Sequence, residues 1–461
     1  MRQKTSQLAL DFAASGEFRE AQSEGLEPSA ALAAPAALAR DVMEAVVTSE
    51  NMSRALKRVR ENKGSPGVDG MTVHELPAYL KEAWPQLKQS LLEGTYRPQP
   101  VKRVQIPKPG GGMRELGIPT VVDRLIQQAL LQVLSPLYEP TFSEHSYGFR
   151  PGRNAHQAVK AAREYVSSGR HYVVDLDLEK FFDRVNHDIL LSRLARRIGD
   201  KRVLGLIRRY LGAGVMQNGV VCERYEGTPQ GGPLSPLLAN VLLDELDIEL
   251  TRRGHAFCRY ADDCNIYVRS RRAGERVLAS VTEFLAKRLR LQVNREKSGV
   301  DHPWERKFLG FRIYRSSTGE IRLDVAPQAL DRAKGRIREI TGRNRGIAPD
   351  RLLRELRTFT DGWVQYFHVI RSPGVFVALD KWIRRRLRCY RWVQWKTSRR
   401  RARELIRRGA EPSQAWATVW KGSGPWRVSR SKAMSVALSN AHLVELGFHS
   451  LQARYAALAA S

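Results

Sequence analysis

Two adjacent aspartates stand in the segment RYADDCNIYV, residues 259–268, between two short apolar and aromatic runs. Neighbouring carboxylates repel each other, so Asp262 and Asp263 need either a cation or open contact with water. Asp is also a common residue of tight turns, which makes an exposed hairpin turn an equally good interpretation of this segment alone. The pair therefore leaves two alternatives open, an ordinary turn or half of a metal site.

A second pair of carboxylates, Asp175 and Asp177, lies in the segment YVVDLDLEKFFD. Residues two apart in an extended strand share a face, so we expect these side chains to point the same way. If one of them ended a strand opposite the first pair, the carboxylates would form a cluster that a cation must neutralise. Hard oxygen ligands favour Mg²⁺, and two such ions ~3.5–4 Å apart clamp an in-line phosphoryl displacement. Such a cluster predicts the chemistry of a nucleotide polymerase.

The patterns around these aspartates predict hairpins and helices that could position them. Residues 97–120 alternate in polarity on either side of a Gly-Gly-Gly turn, which indicates a hairpin. The chain is predicted to pass from a strand to a helix near residue 180, and the opening segment itself reads as a second hairpin. Hydrophobic periodicity predicts helices over 41–60, 123–140, 276–293 and the later part of 227–250, and a last hairpin over 307–325.

The charge of the chain indicates its class of partner. Its 461 residues include 77 Lys plus Arg against 48 Asp plus Glu, a formal net charge of +29. So large an excess repels itself unless a polyanion is bound, which favours nucleic acid. An anionic membrane surface is the alternative, but no lipidation signal, amphipathic anchor or ~18-residue apolar run is present. Four scattered cysteines predict neither a zinc site nor disulfides and fit a reducing cytoplasm.

Five blocks, taken in order, carry a resemblance to a known family. IPKPGGGMRELGIPT, DLDLEKFFD, TPQGGPLSP, YADD and KFLGF resemble the motifs of bacterial group II intron-encoded reverse transcriptases, over residues from about 50 to about 430. The resemblance implies an α+β fold, a right-hand polymerase whose fingers and antiparallel palm sheet precede a helical thumb and maturase domain. It also implies an RNA-directed DNA polymerase that binds its parent intron RNA as a maturase and assists splicing and retrohoming.

The resemblance assigns the carboxylates. Asp177, five residues before Phe182, matches the family's metal ligand, and Asp262 and Asp263 complete the catalytic triad around two Mg²⁺ ions, with Mn²⁺ as a substitute. Asp175 is the rival of Asp177, with a structural hydrogen bond as its alternative role. Phe182 matches the steric gate that excludes a ribose 2′-OH, although a plain core aromatic is the alternative.

Further positions match residues that hold the incoming dNTP. Lys108 and Arg114 flank the glycine turn of the first hairpin and would contact the triphosphate, because Arg binds phosphate bidentately and Lys adds a compact charge. Gln230 would lie against the nucleotide, and its neighbouring glycines would allow backbone to approach the substrate. Lys297 matches a residue that could protonate the pyrophosphate. A solvated basic side chain is the alternative for each of the three cations.

The last third of the chain is strongly basic. Residues 382–408 hold twelve Lys or Arg and one acid, interleaved with Trp382, Tyr390, Trp392 and Trp395. Such a segment is typical of RNA binding, with cations on phosphates and aromatics stacked on unpaired bases, although some aromatics could instead be buried in helix packing. The predicted nucleic-acid ligands are Arg384, Arg388, Arg391, Lys396, Arg399 and Arg400.

The predicted organisation is a flexible Ala-rich leader (1–40), an N-terminal extension (41–96), fingers and palm (97–305), a thumb and maturase domain (306–380) and a basic nucleic-acid-binding region (381–461). No endonuclease domain is expected, and the predicted location is the bacterial cytoplasm and nucleoid. The predicted partners are intron RNA, an RNA template with a DNA primer, a DNA target and dNTPs. Two alternatives remain, an RNA-binding splicing cofactor with little polymerase activity, and a related reverse transcriptase domesticated for repair or defence.

Overall fold

The computed structural model describes residues 38–107, 112–217, 220–222, 225–228 and 231–460. Lys108, Gln230 and nearly all of the predicted leader lie outside these ranges. The described chain forms two compact units, which are divided in sequence between His302 and Pro303.

Three helices begin the first unit: α1 (Val42–Val46), α2 (Ser49–Glu61) and α3 (Leu76–Leu92). The prediction of one helix over 41–60 is wrong, because the backbone is extended at Thr48 and a new helix begins there. The Thr48 hydroxyl accepts a hydrogen bond from the Asn51 N–H at 3.4 Å. This side chain caps an otherwise unpaired donor of the first turn of α2, so the break is encoded locally.

A four-stranded sheet follows, with strand order β2-β1-β4-β5. Strands β1 (Val101–Pro107) and β2 (Met113–Ile118) pair antiparallel, which confirms the predicted hairpin. Strand β1 also pairs in parallel with β4 (Val215–Gln217), which in turn pairs antiparallel with β5 (Val220–Cys222).

A second sheet contains the aspartate segments and has the order β6-β7-β3-β8. Its strands are β3 (Tyr172–Leu176), β6 (Ala256–Tyr260), β7 (Asp263–Val268) and β8 (Gly299–Asp301), all paired antiparallel. The hairpin predicted at 259–268 is thus confirmed as β6 and β7. Strand β3 lies between β7 and β8, which places the two aspartate segments side by side.

The other described helices of this unit share one hydrophobic core with the second sheet, except Ala155–Ser167, which packs separately against β6 and β7. They are α4 (Val121–Tyr138), α5 (Ala155–Ser167), α6 (His187–Leu194), α7 (Lys201–Gly212), α8 (Ser235–Arg252) and α9 (Arg271–Phe284). Helix α8 buries eleven of its eighteen residues, including the polar Asn240 and Asp247, and it packs against strand β6. It therefore lies inside the unit, next to the hairpin that carries the two aspartates.

The predicted transition from strand to helix near residue 180 differs from the structure. Lys180 has a left-handed φ of 47°, and only a short 3₁₀ turn, Phe181–Asp183, follows it. Helix α6 begins at His187, where the Asn186 side chain accepts from the Ile189 N–H at 3.0 Å. The Asn cap fixes the start of the helix, and the residues before it form an irregular turn.

The second unit begins with a small antiparallel sheet of order β11-β10-β9, in which β10 and β11 confirm the last predicted hairpin. The strands of this sheet are β9 (Lys307–Phe308), β10 (Phe311–Arg315) and β11 (Ile321–Val325), and the rest of the described unit is helical. The helices are α10 (Pro327–Ile340), α11 (Pro349–Phe367), α12 (Gly374–Gln394), α13 (Ser398–Arg407), α14 (Pro412–Trp420), α15 (Pro425–Val428), α16 (Lys432–Ala437), α17 (Asn440–Glu445) and α18 (Leu451–Ala460).

Candidate active site

Asp262 and Asp263 lie at the tip of the β6–β7 hairpin. Tyr260 pairs with Asp263, so the loop between the strands consists of only Ala261 and Asp262. Ala261 is buried and has a left-handed φ of 57°. Tight hairpin turns place such a residue in the loop, usually glycine, because a Cβ is disfavoured there. The two carboxylates are therefore held on a tight and slightly strained turn.

The buried guanidinium of Arg259 forms hydrogen bonds that hold this turn in place. The Arg259 guanidinium is fully buried and donates two hydrogen bonds to the Asp247 carboxylate, at 2.7 and 2.5 Å. Its Nη1 also donates to the Ala261 carbonyl oxygen and to Asn240 Oδ1, both at 3.0 Å. Arg259 thus connects helix α8 directly to the backbone of the aspartate loop.

A third segment, the SYGF sequence at 146–149, packs against the same turn. Tyr147 N–H donates to the Arg259 carbonyl at 2.8 Å, and the Asn240 side chain donates to the Gly148 carbonyl at 2.9 Å. A Cβ on Gly148 would lie 2.3 Å from the Ala261 backbone nitrogen, so only glycine fits this position. The turn is enclosed on both sides by backbone and a buried ion pair.

Asp177 is placed next to this hairpin by the register of the sheet. Leu176 pairs with Cys264, so one further step of the same antiparallel register brings Asp177 opposite Asp263. The Asp177 N–H donates to Ser298 Oγ at 2.9 Å, and its carbonyl accepts from the Asn294 N–H at 2.9 Å. The same loop brings Lys297 Nζ to 3.8 Å from Asp177 Oδ1. The backbone of Asp177 is therefore fixed by the loop that carries Lys297.

The carboxylates interact with one another electrostatically. Burial raises the pKa of Asp262 above its ordinary value, and the negative charge of Asp177 adds to this, whereas Arg114 and Arg259 oppose it. Arg114, on β2, is thus close enough to act on Asp262. Within the described residues, no three His, Cys, Asp or Glu side chains converge as a formed metal-binding group. A repelling pair of oxygen ligands is nonetheless a donor set that suits a hard divalent cation.

Phe182 lies in the 3₁₀ turn between β3 and α6. Its ring is partly buried against the core and meets the ring of Phe181 edge to face, with centroids 5.1 Å apart. Its carbonyl accepts from the Thr228 N–H at 2.7 Å, which ties this turn to the start of the TPQGG loop. The neighbouring Phe181 is fully inside the core. Phe182 is thus the more accessible of the two rings.

The other predicted dNTP ligands are placed only in part. Lys108 and Gln230 lie outside the described residues. Gly231, with φ 129°, would place a Cβ 2.8 Å from the Gly117 carbonyl of β2. Gly231 thus brings its backbone close to β2, while the approach of this glycine-rich backbone to a substrate stays a prediction. Asp175 lies inside β3, paired with Asn265 and Gly299, one step before the end of the strand.

The predicted nucleic-acid ligands of the second unit differ in accessibility. Lys396, Arg399 and Arg400 are exposed. Arg388 instead donates to the Leu438 carbonyl at 2.9 Å, and burial lowers the pKa of both Arg388 and Arg391. Arg384 is partly buried.

The predicted stacking of bases on the interleaved aromatics is wrong for most of them. Tyr390, Trp392 and Trp395 are buried in the core of the second unit, and the guanidinium groups of Arg338 and Arg386 both lie over the Trp382 ring. Tyr390 and Trp392 are two residues apart, roughly 200° round the helix, so α12 is buried on more than one side.

Several residues that shape the site were missed by the sequence analysis. Arg259 was visible as a charged residue in an otherwise apolar strand, which indicates a buried partner, and Asp247 is its counterpart in an apolar helix. Asn240, Gly148 and Ser298 carry no such signal, because their roles depend on contacts between segments that are distant in sequence.

Comparison with known proteins agrees with this geometry. Residues 106–313 match the family described as reverse transcriptase (RNA-dependent DNA polymerase). Residues 330–409 match the maturase-specific domain of group II introns. The chain belongs to the group II intron-encoded reverse transcriptases.

Two relatives and one solved structure illustrate the extent of the similarity. Protein YkfC of Escherichia coli is 33% identical over 326 residues, which cover 61% of this chain and 85% of that protein. Group II intron-encoded protein LtrA of Lactococcus lactis is 41% identical over 194 residues, 42% of this chain but only 32% of LtrA. One solved chain, from a partial Cas6-RT-Cas1–Cas2 complex, is 25% identical to this chain. The alignment covers 53% of this chain and 42% of the solved chain, with a TM-score of 0.36.

Family membership defines the general chemistry. The first match is to an RNA-directed DNA polymerase domain, an enzyme class that uses divalent metal ions, and the second is to a domain of proteins that bind intron RNA and act in splicing. The reverse transcriptase match lies mostly in the first unit, and the maturase match lies entirely in the second. None of the helices in the described part of the chain is both long enough and apolar enough to cross a bilayer.

Proposed function

We propose that Asp177, Asp262 and Asp263 are the catalytic carboxylates of this reverse transcriptase. The observation that carries the proposal is their position: the end of β3 lies beside the start of β7, and the charge of Asp177 acts on the partly buried Asp262. A solvated turn would need neither the Arg259 support beneath it nor the electrostatic balance with Arg114. A carboxylate cluster that binds cations needs both the Arg259 support and the Arg114 charge, because the carboxylates must keep their positions before the cations bind.

The three carboxylates would hold two Mg²⁺ ions, for which Mn²⁺ could substitute. When bound, the ions supply activation of the primer 3′-hydroxyl and neutralisation of the triphosphate. The chain itself supplies the fixed turn, the low-polarity setting of Asp262 and the nearby positive charge of Lys297. Lys297, whose Nζ lies 3.8 Å from Asp177 Oδ1, would stabilise or protonate the departing pyrophosphate.

The incoming dNTP would be bound by residues from both sheets of the first unit. Arg114 and Lys108 would contact the triphosphate from the β1–β2 hairpin, and Gln230 would lie against the nucleotide. Phe182 would pack where a ribose 2′-OH would otherwise lie and so select deoxynucleotides. Its accessible ring, unlike that of Phe181, supports this assignment.

The RNA and DNA partners are further proposals. The parent group II intron RNA would be bound partly by Lys396, Arg399 and Arg400, which are exposed cations at the start of α13. The polymerase would copy an RNA template from a DNA primer and act with a DNA target during retrohoming in the bacterial cytoplasm. The net charge of +29 supports polyanionic partners of this size.

The test is primer extension on an RNA template with dNTPs and Mg²⁺. Asp177→Asn and the double variant Asp262→Ala, Asp263→Ala are compared with Asp188→Asn, which changes an exposed aspartate paired on the surface with Arg208. We expect the first two variants to lose cDNA synthesis by at least about a thousandfold while they still bind RNA, and Asp188→Asn to keep it.

If the wild-type protein fails to extend the primer over a range of salt and template, these assignments fall. The protein would then be a splicing cofactor that binds RNA without polymerase activity. If Asp177→Asn extends at the normal rate, Asp175 becomes the candidate ligand instead.

A further inference from the structure

Helix α14 presents two tryptophans to the solvent. Trp416 and Trp420 are four residues apart and stack on each other, with ring centroids 5.2 Å apart and an interplanar angle of 28°. Trp420 is 74% exposed, the second most exposed large apolar side chain of the described residues after Tyr225. Exposed indoles lose the free energy that burial would give them, so a rigid exposed pair suggests a ligand.

The two tryptophans of α14 differ from its buried residues. Ala415 and Val419 are buried, whereas Trp416 is half-buried and Trp420 is exposed, and the helix packs against α13 and α16. Trp416 and Trp420 lie on a different side of the helix. Among the described residues, Trp416 is the only ring in contact with the Trp420 ring.

A nearby tryptophan shows the contrasting arrangement. The Arg385 guanidinium lies 3.7 Å from the ring centroid of Trp426 and also donates to Ser429 Oγ and the Trp426 carbonyl. One face of the Trp426 ring is therefore already covered by a structural cation. Trp420 has no such cation within the described part of the chain.

The charge around the pair favours an anionic ligand. Residues 396–432 contain eleven Lys or Arg and only two acids. Both acids are engaged: Glu404 pairs with Arg407 and Arg408, and Glu411 caps the first turn of α14, at the opposite end from Trp420. Lys421 follows Trp420 directly and is exposed. The segment thus combines positive potential with an exposed aromatic face.

We propose that Trp420, backed by Trp416, is a platform on which an unpaired base of single-stranded nucleic acid stacks, while the surrounding cations bind its phosphates. The platform lies beyond the maturase match, which ends at residue 409. Aromatic rings bind bases of any sequence, because every base has a π-face. A protein ligand would need a wider apolar patch, whereas the residues after Trp420 are Lys421, Gly422 and Ser423.

This proposal rests on the proposed function only in that the chain binds nucleic acid. The experiment therefore omits dNTPs and divalent ions, so that no polymerase chemistry contributes. Fluorescence anisotropy measures binding of the full chain to a labelled 12-nucleotide single-stranded RNA, the matching single-stranded DNA, the duplex, and an oligomer of equal length with abasic sugars. The variants are Trp420→Ala, Trp420→Phe, Lys421→Gln and Val444→Ala, which shortens another exposed apolar side chain of the second unit.

We expect Trp420→Ala to weaken binding to the single strands by about 5- to 100-fold and Trp420→Phe to weaken it much less. The abasic oligomer should bind the wild type and Trp420→Ala equally. The slope of log affinity against log salt should be unchanged in Trp420→Ala but reduced by about 0.7 in Lys421→Gln. Val444→Ala should behave as the wild type. A preference between the RNA and DNA strands identifies which of the two the platform serves.

Equal binding of the single strands by Trp420→Ala and the wild type would overturn the proposal. So would an equal loss for the abasic oligomer or the duplex, because neither offers an unpaired base. A change in molecular mass by light scattering in Trp420→Ala, without a change in nucleic-acid affinity, would assign the platform to protein contact. Failure of the wild type to extend a primer would count against the polymerase assignments alone and leave the stacking result intact.

Discussion

Arg259 is an unusual residue to find fully buried in a strand. Burial of a charged pair costs several kcal/mol per ion, and the attraction and hydrogen bonds between the partners offset this only when the geometry is good. Arg259 meets Asp247 with two short hydrogen bonds and spends a further donor on the Ala261 carbonyl. We infer that the pair is useful mainly because it fixes the conformation of the aspartate loop.

A double substitution separates stability from this positioning role. Arg259→Met alone leaves Asp247 charged and unpaired, and should lower the free energy of unfolding by about 3–5 kcal/mol. Arg259→Met with Asp247→Leu replaces the whole pair with apolar groups and should restore most of that stability. It does not restore the donor to Ala261, so we expect primer extension to stay at least tenfold slow and to need more divalent metal. Denaturation and metal titration of both variants check this, and wild-type kinetics in the double variant would make the pair merely structural.

The neighbouring rings Phe181 and Phe182 should respond differently to substitution. Phe182→Ala should raise the ratio of ribonucleotide to deoxyribonucleotide incorporation by at least about tenfold, because it opens space for a 2′-OH. Phe181→Leu should lower stability by about 1 kcal/mol and leave that ratio unchanged, since this ring is buried in the core. Single-nucleotide incorporation with each triphosphate measures kcat/KM for both variants. An unchanged ratio in Phe182→Ala would make this residue an ordinary core aromatic.

Asp244, on the same helix as Asp247, should make stability depend on pH. Burial and the charge of Asp247 raise the pKa of Asp244 to about 7. A carboxyl whose pKa is raised in the folded state binds its proton more tightly there than in the unfolded chain. The free energy of unfolding should therefore fall as pH rises from about 4 to about 7.

Asp244→Asn removes this titration. The free energy of unfolding of the variant should therefore exceed that of the wild type by roughly 1–4 kcal/mol at pH 8 and by little at pH 4. Urea denaturation at fixed ionic strength measures the difference, with exposed Asp41→Asn as the control. A difference that does not grow with pH would show that Asp244 is not the titrating group.

At the scale of elements, the β6–β7 hairpin depends on the segment that packs against it. Gly148→Ala would put a Cβ 2.3 Å from the Ala261 nitrogen, and a backbone atom cannot move as cheaply as a side chain. We expect a loss of about 1–3 kcal/mol in stability and a larger loss in primer extension. Gly205→Ala in α7, where the nearest atom is 3.7 Å away, should be neutral or stabilising. Equal activity of the two variants would show that the hairpin tolerates displacement.

The elements differ in how far their sequence determined them. The hairpins at 101–118 and 256–268 were predictable, because alternation and turn residues are local signals. The helix boundaries near Thr48 and Lys180 differed from the predictions. The Thr48 side chain caps a new helix, and Lys180 has a left-handed backbone, and both features override the hydrophobic periodicity. At the site, Asp177, Asp262 and Asp263 were named from motifs. The support from Gly148 and Arg259 was not, because it depends on tertiary packing: Gly148 contacts Asn240, 92 residues away, and Arg259 contacts Asp247 on a separate element, 12 residues away.

At the scale of the whole molecule, the excess charge predicts strongly salt-dependent binding of nucleic acid. Replacing the exposed Lys396, Arg399 and Arg400 with Gln should reduce the slope of log affinity against log salt by about 2–3 on RNA. Replacing the exposed Arg272, Arg276 and Arg288 of the first unit is a control of equal charge, and we expect a smaller change in slope. Filter binding at several salt concentrations checks this. An equal change in both triple variants would mean that binding follows net charge and not the α13 surface.

The conformation of Ala261 restricts how this sequence can change. A left-handed φ of 57° disfavours β-branched and bulky residues, and the position is also buried. Glycine would adopt the turn without strain but would hold it less firmly. The residue between Tyr260 and Asp262 is therefore restricted to small side chains that tolerate the left-handed region, and any change in the surrounding core must preserve that space.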